Sequence, residues 1–367
     1  MDRGPASMRY PGEVRVQQLV IHVVDPHRDN VVFSERDVPL DGADRLVEYF
    51  GHHIRNSLQD PVAGAGRFEA DNGCATFALC RAMLHEGLDL IGGSGKLAGQ
   101  LAEIIRRNRS ISPGVLVAGF YTDSGRPEVP RFLALLKMDP SQVFRHVVER
   151  EATTGRRYVR LALESDVLPS EREKLQKCAF VQPLEPRHAE YDMLLLDRQT
   201  RVPTEVPVAK FFVEGLLGAK LALDARARTD RLFKGLMGAY NDLKSVLPSG
   251  QGEQLRQAVD AAVRQSTIDL EDWLESLPLA EEHRRIIDRH LAGQHLNERT
   301  FDIDRTYGRS LLKKRIFRGD HRLRVEVSAD PDKAQQVIQS AERIEIPGTL
   351  PYYRVVLHTE RWDEIAQ

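Results

Sequence analysis

The sequence predicts an α+β protein. An N-terminal mixed domain with a mainly antiparallel sheet and flanking helices is followed by a mainly helical C-terminal domain ending in a small β-hairpin or sheet. Three observations carry this. Between Gly114 and Leu196 apolar runs succeed one another without long helices between them, which favours an antiparallel sheet with its helices segregated to one side. Pro203 and Pro207 then mark a change to helical spacing and place a boundary near Thr204, giving domains at 1–204 and 205–367. Past Arg322 the pattern returns to short strands. A length of 367 residues suits two domains at roughly 150 residues each.

Taken in order, Val14–Val24 (VRVQQLVIHVV) has the β-branched content of a strand, closes at Asp25-Pro26 and resumes at Val31–Phe33. Asp41 is placed to cap a helix in which Ala43, Leu46, Val47, Phe50 and Ile54 recur at helical spacing. Ala75–Leu90 reads as helix. Ser94 is the expected cap of the next, whose Leu97, Leu101, Ile104 and Ile105 form one face. Gly114–Tyr121 and Arg131–Met138 are strands across a turn-rich TDSGRPEVP, and Tyr158–Leu163, Cys178–Val181 and Tyr191–Leu196 add more.

From Val208 to about Leu247 the spacing predicts helix, with one stripe of Val208, Phe211, Phe212, Leu216, Ala219 and Leu223. Leu232, Leu236, Ala239, Tyr240 and Leu243 make a second stripe. Leu217, Leu221, Phe233 and Met237 fall off both, so this helix needs burial on several sides, within one chain or against a second copy as a homodimer. Helices follow at Glu253–Arg264, Leu270–Ser276 and Glu281–Leu291, then strands at Arg322–Val327, Arg343–Ile346 and Tyr353–His358.

Lys plus Arg total 52 against 54 for Asp plus Glu, a net charge of −2, and 41% of residues are hydrophobic. That excludes wholesale disorder and a histone-like basic coat, so any nucleic-acid contact must use local patches. No apolar run spans a bilayer and MDRGPASMRYPGE lacks a signal-peptide core, so a cytoplasmic chain with no membrane contact is expected. Cys74, Cys80 and Cys178 have no paired spacing, which fits a reducing compartment.

Catalytic signatures fail one by one. LIGGSGKLAG resembles a phosphate loop, but Leu90 stands where the first glycine belongs and Leu97 where the metal-binding hydroxyl belongs. His283, His290 and His295 match no zinc spacing, and the SEREK run with Glu171, Glu173 and Lys174 reads as a solvated helix start. No nucleophile motif is present. The expectation is therefore no catalytic residue, no metal and no cofactor. A metal-dependent nuclease or antiphage defence effector with scattered acids, and a protein-interaction scaffold, are the alternatives.

Charge is uneven. Arg305, Arg309, Lys313, Lys314, Arg315, Arg318, Arg322 and Arg324 face one acid, Asp320, an excess of 8 − 1 = +7. Lys313, Lys314, Arg315 and Arg318 are the candidate principal phosphate contacts, with Arg322 and Arg324 secondary. Arg106, Arg107 and Arg109 form the next candidate cluster, and Arg156-Arg157-Arg160 and Arg226-Arg228-Arg231-Lys234 are smaller ones. A solvated face is the competing reading for all of them.

The segment VAKFFVEGLLGAKLALDARARTDRLFKGLMGAYNDL, with Phe211, Phe212, Leu217, Gly218, Ala219, Ala225 and Ala227 in matching places, resembles the NdpA/YejK nucleoid-associated protein family. Ser94-Gly95-Lys96-Leu97 with Leu101, the strand Gly114–Tyr121, the opening VQQLVIHVVD and the late RIEIPGTLP are similar to that family in the same order. The likeness covers most of residues 14–245 and departs after Leu247. It implies a bacterial protein of the nucleoid that binds DNA or DNA-bound partners, with no catalytic residues to carry over. Because no base-reading module is visible beside the basic clusters, DNA contact is expected to be sequence-independent.

Overall fold

The structure, a computed structural model, describes residues 7–27, 30–69, 75–139, 141–150, 157–167, 177–197, 210–296, 298–318, 324–328, 338–344 and 352–357. Its contacts divide the chain into two compact units, Met1–Ala222 and Leu223–Gln367. The boundary expected near Thr204 lies outside the described residues, as does the SEREK run.

The first unit runs β1 (Val14–Asp25), β2 (Asn30–Val32), α1 (Asp44–Leu58), β3 (Gly64–Phe68), α2 (Ala75–His85), α3 (Leu90–Arg107), β4 (Gly114–Asp123), β5 (Phe132–Met138), β6 (Ser141–Arg150), β7 (Arg157–Val167), β8 (Lys177–Val181), β9 (Met193–Asp197) and β10 (Ala219–Ala222). Eight of these strands form one sheet in the order β10-β3-β9-β8-β5-β4-β1-β2, antiparallel at every step. β6 and β7 make a separate hairpin between β5 and β8 in the chain. The α+β class and the antiparallel sheet are as the sequence predicted.

The helices cover both faces rather than one. Leu97, Leu101 and Ile105 of α3 pack with Leu116, Leu133, Leu135 and Val181 on one side. Phe50, Ile54 and Leu58 of α1 pack with Val117, Leu136, Phe180 and Leu194 on the other. The reason is legible in FLALLKM and KCAFV, which are buried at every position. A strand without polar alternation has two covered faces.

Two expected caps are displaced. α1 starts after Ala43, and no side chain, Asp41 included, caps it. α3 begins five residues earlier than Ser94 suggests, because the Asp89 carboxylate accepts the Gly92 N–H at 2.7 Å. The glycine-rich Leu90–Gly99 is thus helix rather than loop. Its glycines make room for neighbours: a β-carbon at Gly93 would overlap the Met83 sulfur, and those at Gly95 and Gly99 would touch His22 and Phe33 at 3.9 Å.

The single helix expected over Val208–Leu247 is instead three elements. A π-helical turn covers Phe211–Leu216, Gly218 sits in the left-handed region at φ 56°, and β10 pairs with β3. Asp224 then accepts the Ala227 N–H at 2.9 Å and starts α4 (Ala225–Leu243). A residue that readily adopts positive φ followed by an Asp cap stops one helix and begins another. Leu217 and Leu221 consequently pack into the first unit's core, and Phe233 and Met237 against the second's. The surplus of apolar residues that motivated self-association is absorbed within the chain.

The second unit continues with α5 (Ser249–Ala262), β11 (Thr267–Asp269), α6 (Leu270–Ser276), α7 (Glu281–Gly293), β12 (Thr300–Asp302) and α8 (Arg305–Leu312). Leu232, Leu236, Val259, Ile287, Leu291 and Leu312 share its core. The hairpins β13 (Lys314–Arg318) with β14 (Arg324–Ser328), and β15 (Ile338–Ile344) with β16 (Tyr352–Leu357), follow. No helix among the described residues is long and apolar enough to cross a membrane.

Candidate nucleic-acid interface

The most basic stretch of the chain opens with α8, a helix for which the sequence reading assigned no element. Asp304 caps it, accepting the Tyr307 N–H at 2.9 Å, while its own N–H donates to Thr229 Oγ1 at 2.9 Å. Gly308 lets α8 lie against the backbone carbonyl of Val263, which any β-carbon there would strike. Leu312 is buried beside it. Tyr307 lies beneath the Arg226 guanidinium, 4.4 Å from the ring centroid, and donates its hydroxyl to Asp230 at 2.9 Å. Burial, then the neighbouring Asp230 carboxylate, push the Tyr307 hydroxyl up to about 12, so it stays a donor at neutral pH.

One face of α8 is therefore committed to the fold. Arg305 and Arg309 are exposed along the border of that face, and Lys313 follows at the C-cap. The three recur every fourth residue, about 6 Å apart along the axis at 1.5 Å per residue. All three are exposed, and among the described residues none makes an ion pair. Cations of this kind can displace the counterions condensed on a duplex, which carries one charge per about 1.7 Å of axis.

The hairpin sorts the predicted contacts by face. Its register pairs Lys314 with Ser328, Arg315 with Val327, Ile316 with Glu326, Phe317 with Val325 and Arg318 with Arg324. Since strand residues alternate, Lys314, Arg318 and Arg324 share a face with Glu326 and Ser328, both exposed. Arg315 belongs to the opposite, apolar face with Phe317, Val325 and Val327, so the four principal contacts do not form one surface. Arg322 lies outside the described residues. Arg305 and Arg309, left off the list of contacts in the sequence reading, stand at a spacing of four up to Lys313.

The remaining clusters are used differently. Arg228 pairs with Glu298 at 2.9 Å and Lys234 with Asp230 at 2.7 Å. Arg106 pairs with Glu103, and Arg106 and Arg107 occupy the last turn of α3 with Arg109 just beyond, all exposed. Asp242 pairs with His290 at 2.8 Å.

A Ser–His pair is present, and its geometry is structural. His22 Nδ1 accepts the Ser34 N–H at 3.1 Å, so Nε2 carries the proton and donates to Ser94 Oγ at 2.8 Å. The serine in turn donates to the Leu90 carbonyl at 2.6 Å. An imidazole that is already donating to the hydroxyl cannot take its proton. Both residues are fully buried, and burial lowers the His22 pKa. Among the described residues no group of three or more His, Cys, Asp or Glu is placed to hold a metal ion.

Comparison with known proteins ends on one positive finding. No curated protein shows a significant match. A family model described as nucleoid-associated protein YejK (NA37) matches residues 20–347, taking in most of both units.

Proposed function

We propose that this chain, which belongs to the nucleoid-associated protein YejK family, acts at the nucleoid by binding duplex DNA along its phosphate backbone, without sequence preference and without chemistry on the strand. The observation that carries this is the row Arg305, Arg309 and Lys313: exposed, regularly spaced and without ion pairs among the described residues. Such a row would read charge, not base edges. The hairpin face with Lys314, Arg318 and Arg324 extends the same chemistry. Arg106, Arg107 and Arg109 are secondary, because the end of α3 already uses them.

A fluorescence-anisotropy titration with two unrelated duplexes of equal length tests the reading, run with and without magnesium. Equal affinities that fall steeply with salt, and intact DNA after magnesium, are the expected result. Cleavage would replace this reading with the nuclease one; no binding at low salt would replace it with the scaffold.

A further inference from the structure

In the first unit, a cavity of about 270 Å³ opens where α3 hands over to β4. Its wall comprises Asn108, Ser110, Ile111, Ser112, Lys137, Lys177 and Phe211. We propose that it is a binding site for a small oxyanion, the terminal phosphate of a phosphate monoester, distinct from the cationic row on α8.

The sheet register sets the site. Lys137 of β5 and Lys177 of β8 are direct cross-strand partners, and each is only 2% exposed. Two like charges facing each other across a ladder disfavour the sheet, and burying them adds a desolvation cost. Asp139 pairs with Lys137, and Asp197 acts electrostatically on Lys177, yet neither carboxylate lines the cavity. Burial lowers the Lys177 pKa; Asp197 opposes that and Lys137 adds to it.

Hydrogen-bonding capacity points the same way. Lys137 Nζ donates to the Ser112 carbonyl at 2.7 Å and to the Asp139 carboxylate, leaving a third N–H without a partner among the described residues. The Asn108 side-chain oxygen is taken by Ser110, at 3.1 Å from its N–H and 2.7 Å from its hydroxyl. What Asn108 offers is its amide N–H₂, and Ser112 its hydroxyl. The side chains around the cavity thus present donors and the apolar walls of Ile111 and Phe211, with no carboxylate. Exposed Arg107 and Arg109 flank Asn108 in the chain and would draw an anion toward the mouth. A phosphate monoester, near −2 with three acceptor oxygens, matches a donor-only lining. The volume holds a phosphoryl group with a few waters, below the roughly 300 Å³ at which pockets for whole small-molecule ligands begin.

Calorimetric titration of the full chain with inorganic phosphate, against chloride at matched ionic strength, is the test. Saturable binding is expected, weakened at least tenfold by Ser112→Glu, an exposed change that sets a carboxylate at the mouth without touching the lysines. Lys177→Gln should have the same effect. Absence of saturable binding to the parent, or parental affinity in Ser112→Glu, overturns the proposal. Displacement of phosphate by a 5′-phosphorylated oligonucleotide but not by its 5′-hydroxyl twin would identify a DNA end as the source; displacement by neither would identify a free small phosphate. Either uphold the site.

Discussion

Two helices of this protein carry basic residues in rows: α3 in its last turn, α8 from its first position through its last turn to the C-cap. In α3 the basic residues fill the last turn, where the partial negative charge of the helix C-terminus stabilises cations by about 0.3–1 kcal/mol each. Glu103 pairs with one of them. In α8 Arg305 stands at the first helical position, where the same field opposes it, and Arg309 and Lys313 follow, both exposed. The first cluster needs no partner beyond its own helix. In the second only Arg305 stands against the helix field, beside the capping carboxylate of Asp304, whereas Arg309 in the last turn and Lys313 at the C-cap are favoured by it; under the proposed function a polyanion outside the molecule would pair with the row. Charge density alone does not separate the two clusters; the Arg106–Glu103 pair in the first and the position of Arg305 in the second do.

The contrast breaks most readily at α8. Reversing all three charges, Arg305→Glu with Arg309→Glu and Lys313→Glu, should cost at least about hundredfold in duplex affinity at low salt. The melting temperature should stay close to the parent's, because none of the three makes an ion pair among the described residues. The matching reversal at Arg106, Arg107 and Arg109 should cost DNA affinity less than threefold, about 0.65 kcal/mol at 1.4 kcal/mol per tenfold. If the two triple variants lose affinity equally, the contrast is wrong.

Gly308→Ala sharpens it by moving the helix rather than its charges. The added methyl strikes the Val263 carbonyl, so α8 must lift from α5. Overpacking of this kind costs about 1–3 kcal/mol, measurable by urea unfolding, and DNA affinity should fall with it. A pH dependence tests the first unit on its own. Burial lowers the folded-state pKa of His22, so the unfolded chain binds the proton more tightly. That contribution is fully present above about pH 6.5 and is lost as pH falls toward the folded-state value. His188, lowered mainly by burial and then by Arg126 and Arg67, adds the same sign. The melting temperature should therefore decline on acidification below about pH 6.5, less steeply in His22→Gln, which starts lower because Ser34 and Ser94 lose their partner.

The smallest effect discriminates best between the two helices. Arg305→Glu alone should stabilise the fold by about 0.3–1 kcal/mol, and Arg107→Glu should destabilise it by a similar amount. Chemical denaturation of both single variants at low ionic strength reads the opposite signs directly.

The strands β4, β5, β8 and β9 were legible because burial on both faces writes an almost unbroken apolar run, polar only near the strand ends. So was α6, with Leu270–Ser276 matching its expected bounds. β3 escaped because GAGRF reads as a turn: its glycines permit close approach, and a β-carbon at Gly66 would overlap Leu195 of β9. β10 was hidden inside an apolar stretch whose period looked helical until Gly218 and Asp224 divided it. At the candidate interface the charge excess was visible, but α8 was not, because Gly308 weakens a helical pattern and its packing reason is three-dimensional. Hence Arg315 was counted as a principal contact although the register sets it apart from Lys314 and Arg318, and Arg305 and Arg309 were passed over.

The central claim is that Arg305, Arg309 and Lys313 each neutralise a phosphate. Measuring duplex affinity by fluorescence anisotropy across a salt series, for the parent and for Arg305→Gln with Arg309→Gln and Lys313→Gln, tests it most directly. The slope of log affinity against log salt should become shallower by about 2.7, three contacts at roughly 0.9 each, and equally so for two unrelated sequences. An unchanged slope in a variant that melts like the parent would contradict the account.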